Sequence, residues 1–268
     1  MKINFRFLSS LFPYYMVEIF LVFFGFFYGL FLCPRGIDLK PIIQNRKSLK
    51  CYIFATGPSI NDFDVGKFSG NDCFTLSNFY LHKDINLINP IAHFVASYHK
   101  PLQKNNFIDW IKDIHYKLPS RTVLVTDIRN KKLFEKAKIN TRKIIYVPTF
   151  PFNSVFYINR FGSQMRPWSI PILAIPILFL AGYKKLNLLG CDHTTLKNYK
   201  KNIKNFFPNN MDIRKKATDS THWNKLNIIM VLQNELLLFK QYYSLNIFLK
   251  KKNVKILNLS NDSWLDFL

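Results

Sequence analysis

The sequence predicts an α/β protein, a mostly parallel sheet with helices on both faces, preceded by an N-terminal membrane helix. Three observations predict it. Short apolar, β-prone runs recur between residues 52 and 259 and alternate with helical stretches, the order that builds a parallel sheet. The first run, Tyr52 to Ala55, breaks at Gly57-Pro58 and is followed by Ser59, the grammar of a strand, a tight turn and a helix start. From Phe7 to Cys33 the chain carries one charge, Glu18. As a helix, that stretch is long enough to cross a hydrocarbon core of about 30 Å.

The basic residues Arg35, Lys40, Arg46, Lys47 and Lys50 follow the apolar stretch, and Lys2 and Arg6 precede it. If it spans, the positive-inside rule puts the bulk of the chain in the cytoplasm. Glu18 and Pro13 oppose a span, because a carboxylate in hydrocarbon is costly. A helix lying in the inner leaflet, with its basic flank on anionic lipid, is the alternative, and a buried core helix is a third. The expected organisation is a membrane-associated helix over 1–35, a basic linker over 36–49 and one α/β domain over 50–268.

Within that domain, strands are expected at Tyr52–Ala55, Cys73–Ser77, Ile91–Tyr98, Thr122–Thr126, Lys143–Val147, Leu186–Gly190 and Val254–Leu259. Helices are expected at Phe107–Leu118, Lys131–Lys138, Ser169–Ala181 and from about Lys225 to Lys240 or beyond. Pro176 is expected to kink the third of these, and Gly182 to cap it. The aromatic stretch Asn153–Trp168 reads as an irregular loop, and the Asn-rich basic stretch Asn198–Lys216 as a flap.

Ligand contacts in such sheets gather just beyond the carboxyl ends of strands. A turn such as Thr56-Gly57-Pro58-Ser59 suits a phosphate: its N–H groups point outward beside a helix N-terminus, and Gly57 lets backbone come close. Asn78 stands at the end of the second strand with an amide that both donates and accepts. Asp192 and His193 come after the buried strand that ends at Gly190, titratable groups where a site is expected. His222 precedes a helix, where a neutral imidazole can serve as a general base. Arg160 and Arg166 lie in the aromatic loop and suit an acidic group.

A net charge of +22 favours anionic partners. The lysines are scattered and lack nucleic-acid-type aromatic motifs, so no nucleic-acid partner is expected. Four cysteines without a Cys-x-x-Cys pair read as reduced or buried thiols, and no metal site is expected. Asp62-Phe63-Asp64 has the spacing of a metal-holding pair but does not come after a strand. Asp192 with His193 offers too few ligands.

Four landmarks in order carry a family likeness: FATGPSI (54–60), LSNFYL (76–81), LAGYKKLNLLGCDH (180–193) and Ser220-Thr221-His222-Trp223. Together they resemble the bacterial sialyltransferases of the Campylobacter type and the wider Gly-Pro-Ser-Leu group of polysaccharide-biosynthesis proteins. The resemblance implies a Rossmann-like fold, a variant of the first glycosyltransferase architecture. It also implies a metal-independent, inverting glycosyltransferase. Thr56, Gly57, Pro58, Ser59, Asn78, Asp192 and His193 would face a nucleotide-sugar donor, CMP-sialic acid in the nearest members, with Ser169 by its phosphate. His222 would take the proton of a lipid-linked or lipooligosaccharide glycan acceptor. Thr56 stands where the family has Asn, and His193 and Thr194 stand where it has phosphate-supporting tyrosines, which leaves the donor sugar open. Two rival readings remain: a pterin-type diphosphokinase on the same fold, and a non-catalytic basic membrane-bound scaffold. A homo-oligomer is a further expected partner state.

Overall fold

The computed structural model describes Phe27, Phe31 and residues 36–99, 102–149, 153–159, 162–165, 167–201, 205–214, 227–261 and 263–268, with backbone alone at 153–159 and 162–165. The expected membrane helix, apart from Phe27 and Phe31, lies outside the described residues, as do Arg160, Arg166 and His222. Among the described residues, no helix is long and apolar enough to cross a membrane.

The core is a seven-stranded sheet. In chain order its strands are β1 (Lys50–Phe54), β2 (Cys73–Leu76), β3 (Ala92–Val95), β4 (Val123–Asp127) and β5 (Ile144–Val147), with β8 (Lys185–Leu189) and β9 (Lys255–Asn258) later in the chain. They lie in the order β5-β4-β3-β2-β1-β8-β9, and every pairing is parallel. The chain builds outward from β1 to β5, then returns to the other side of β1. The order therefore reverses between β1 and β8, and a crevice opens beyond their carboxyl ends.

Strands covered on both faces need continuous apolar runs, and β2, β3 and β4 are buried throughout. One face packs under α5 (Ile170–Leu180) and α6 (Ile228–Lys250), the other under α3 (Lys104–Lys117) and α4 (Lys131–Lys136). The short helices α1 (Lys40–Ile43) and α2 (Ile85–Ile88) complete the two layers. Pro176 is accommodated inside α5 among buried neighbours. Gly182, at φ +92°, ends that helix in the left-handed conformation, with bonds from Gly182 N to Phe179 O (2.9 Å) and from Tyr183 N to Leu178 O (3.1 Å).

The helix expected from about Lys225 to Lys240 or beyond is α6, which continues to Lys250 as Leu245, Asn246 and Leu249 extend its buried face. The structure differs from expectation in three places. Pro58–Asp62 forms a 3-10 turn and no α-helix comes after it, so β1 leads into no helix dipole. Residues 153–165, expected as an irregular loop, contain an antiparallel pair, β6 (Asn153–Asn159) and β7 (Gly162–Met165), consistent with the β-prone run Val155-Phe156-Tyr157-Ile158. Residues 36–49, expected as a linker, bury Ile37, Leu39 and Ile42 in the core.

Asp72 ties that segment to the sheet. Its Oδ2 accepts from Lys47 N (2.9 Å), Ser48 N (3.1 Å) and the Tyr183 hydroxyl (3.0 Å), with the residue 1% exposed. Removing the carboxylate strands three donors. Asp72→Ala is expected to lower stability by about 3 kcal/mol and to make 36–49 sensitive to limited proteolysis. Urea denaturation and a protease time course measure both.

Candidate active site

The crevice at the reversal point holds a cavity of about 310 Å³. Its walls come from residues 55–58 after β1, 76–77 at the end of β2, 169–171 at the start of α5 and 190–195 after β8, with Asn198 and Asn205. Of the residues singled out in the sequence, Thr56, Gly57, Pro58, Ser169, Asp192 and His193 line it. Ser59 lies against it, bonded to Asp192.

Two strand ends are stitched together here. Ala55 N donates to Leu189 O (2.8 Å) and Gly57 N to Gly190 O (2.9 Å), extending the β1–β8 ladder beyond the strands. Asp192 then accepts twice from Ser59, from its N–H at Oδ2 (3.0 Å) and from its hydroxyl at Oδ1. Ser59 is therefore not the cap of a helix; its donors are spent on a carboxylate 133 residues away. This approach explains Gly57, whose φ of −63° needs no glycine. A Cβ there would stand 2.5 Å from Asp192 Cγ and 2.6 Å from Gly190 O. Gly190 is needed on both counts: its φ is +71°, and a Cβ would press on Ile60. Its N–H donates to Ser260 Oγ (2.9 Å).

His193 sits in the left-handed region at φ +49°, unusual for a non-glycine residue. Its Nε2 is 2.8 Å from the Tyr242 hydroxyl. Burial holds the imidazole down at about 4, so it is neutral near pH 7. Helix α6 supplies further polar groups behind this wall. Gln241 accepts from Trp168 N (3.1 Å), and Glu235, 8% exposed, leaves Oε2 buried without a partner. Burial raises the Glu235 carboxyl above its ordinary range, opposed by the Thr195 hydroxyl. The Tyr242 hydroxyl is pushed well up, by burial first.

The positive end of a helix does reach the cavity, but from α5. Ser169, Ile170 and Pro171 all line it, and Ser169 Oγ, beside the Tyr242 hydroxyl, is buried without meeting hydrogen-bond geometry. An anion there meets the α5 N-terminus.

Asn78 stands behind the wall, not in it. It is fully buried, and its Oδ1 accepts from the Trp110 indole (2.6 Å). The preceding residue, Ser77, lines the cavity instead. Sequence reasoning missed Ser77, Glu235, Gln241 and Tyr242. For the α6 residues one signal was present: polar groups at 235, 241 and 242, on the buried side of a helix that is mostly apolar. Among the described residues no group of three or more metal-ligating side chains occurs.

Gly57→Ala is expected to cost about 3 kcal/mol in urea denaturation, because the obstacle is backbone as well as carboxylate. His193 is lowered from 6.5 to about 4 on folding. The unfolded chain therefore binds the proton first, and this contribution, full above pH 6.5, is lost as pH falls through 4. His193→Gln is expected to flatten the acid limb of the stability profile between those values. Buried His93, lowered to about 3, keeps its own share.

No protein-family model matches the chain, and no curated protein matches it. Among solved structures, the sialyltransferase CstII from Campylobacter jejuni in complex with cytidine-5'-monophosphate is 15% identical at a TM-score of 0.46, over 81% of this chain and 82% of that one. The same enzyme with CMP-3FNeuAc is 16% identical at a TM-score of 0.47, over 81% and 83%. Its complex with trisaccharide acceptor and CMP is 16% identical at 0.43, over the same shares.

Proposed function

We propose that the cavity takes a nucleotide-sugar donor and that the chain is a glycosyltransferase, transferring the sugar with inversion to a cell-surface glycan. One observation carries this reading. Two of the sequence landmarks, 54–60 and 180–193, supply strand ends on either side of one cavity at the reversal point, and a third, 76–81, adds Ser77. Nucleotide ligands of doubly wound sheets occupy that place.

In this reading the donor phosphate lies at the α5 N-terminus beside Ser169, and backbone N–H groups there stabilise it as it leaves. The acceptor hydroxyl oxygen forms a bond to the anomeric carbon as the bond from that carbon to the phosphate oxygen breaks. The hydroxyl proton passes to His222, neutral at the outset, and the nucleotide departs with the bonding pair. Arg160 and Arg166 are assigned to the acceptor side. No metal is required in this scheme. The N-terminal segment, 1–35, is assigned to the inner membrane, with 50–268 on the cytoplasmic side.

The test is a thermal-shift screen of CMP-, UDP- and GDP-sugars with EDTA present, followed by transfer assays. One donor class is expected to raise the melting temperature, since a ligand at a hundredfold its Kd adds about 2.7 kcal/mol. His222→Ala is expected to abolish transfer while leaving donor binding intact. Retained transfer would move the base elsewhere. Binding of a pterin alcohol with ATP and no sugar nucleotide would replace the reading with a diphosphokinase.

A further inference from the structure

A nucleotide sugar brings negative charge into the cavity, yet none of the described side chains lining it is a lysine or arginine. The one carboxylate on its walls, Asp192, is spent on Ser59. A fixed guanidinium stands one contact beyond the wall. Arg214 Nη1 lies 3.4 Å from Ser77 Oγ, and Ser77 is a wall residue.

Arg214 is held on three sides. Asp212, 3% exposed, accepts from its Nε at Oδ1 and its Nη2 at Oδ2, both at 2.9 Å. The guanidinium stacks over Trp110 at 4.5 Å from the ring centroid. Asn78 fixes the same indole by accepting from its N–H. The segment bearing Arg214 is itself docked on the sheet: Phe206 N donates to Thr56 O (3.2 Å), and Phe206 packs on Phe79. The sequence reads this stretch as a flap, but here it delivers an ordered cation to the end of β2.

Ser77 completes the geometry. Its φ of +54° is a conformation a serine rarely holds, at the carboxyl end of β2. Because its oxygen accepts from Arg214, its own hydrogen is left to donate, and a hydroxyl that accepts from a cation is a better donor. We propose that Ser77 and Arg214 form an oxyanion-recognising pair, Ser77 contacting the donor and Arg214, its charge offset by Asp212, acting as the residue that positions and polarises the Ser77 hydroxyl. The ligand chemistry is a phosphate or a sugar carboxylate of that donor. This assignment rests on the donor reading above.

The test compares affinities within each protein by calorimetry: cytidine, CMP and CMP-sialic acid, or the matching uridine or guanosine series with an acidic sugar if the screen selects that base. Variants are Arg214→Gln and Ser77→Gly, the glycine being at ease at that φ. Ratios taken within one variant cancel partial loss of folded protein. If the pair holds the phosphate, the CMP-over-cytidine ratio is expected to fall about tenfold in both variants, with cytidine unchanged. If it holds the carboxylate, the fall appears in the ratio of CMP-sialic acid to CMP. Either result supports the pair. Both ratios unchanged, with wild-type CMP binding intact, overturns the pair and leaves the donor reading standing. No nucleotide binding by the wild type overturns both.

Discussion

The structure of the site depends on one join, the double hydrogen bond from Ser59 to Asp192. The sheet puts β1 and β8 side by side, and the main-chain bonds from Ala55 to Leu189 and from Gly57 to Gly190 carry the ladder just past their ends. Ser59 donates through main chain and hydroxyl to the two oxygens of one carboxylate, so the β1 and β8 loops cannot separate without leaving a buried carboxylate unsatisfied. The absence of a side chain at Gly57 lets Asp192 come that close, and the left-handed turn at Gly190 aims the loop toward it. Anchoring Asp192 sets the residues after it: His193 faces the cavity with its ring held by Tyr242, and Thr194 and Thr195 continue the wall.

Charge is arranged around this join. The chain carries a formal +22, yet the described walls of the cavity hold no lysine or arginine. On the proposed reading, an anion there would meet oriented dipoles, the α5 N-terminus and hydroxyls, with Arg214 one contact behind. Fixed dipoles need little rearrangement when charge develops on a leaving group, whereas mobile lysines must be ordered first. The excess positive charge elsewhere is available for drawing in an anionic substrate or an anionic lipid surface.

Much of the fold was legible because parallel strands covered on both faces must be apolar throughout. The runs at 52–55, 73–77, 122–126 and 186–190 could be little else, and each lies within a residue or two of an observed strand. Thr56, Gly57, Pro58, Asp192 and His193 were legible for a related reason, standing straight after two of those runs. The helix expected after Gly57 was not there. Ser59 looks like a cap locally, and its real partner is 133 residues away, a choice that tertiary structure makes. Asn78 misled in the same manner, since its amide belongs to Trp110 and the wall position falls to its neighbour Ser77. Arg214 had no signal beyond the local Asp-x-Arg spacing, because its position depends on where its segment docks.

A crystal structure of the protein soaked with the nucleotide it prefers shows directly where that nucleotide binds. Density for the phosphate beside Ser169, between the Gly57 turn and His193, is the predicted result. Density at another part of the sheet edge, such as the Asp127–Arg129 pair at the end of β4, with the β1–β8 crevice empty, would contradict it.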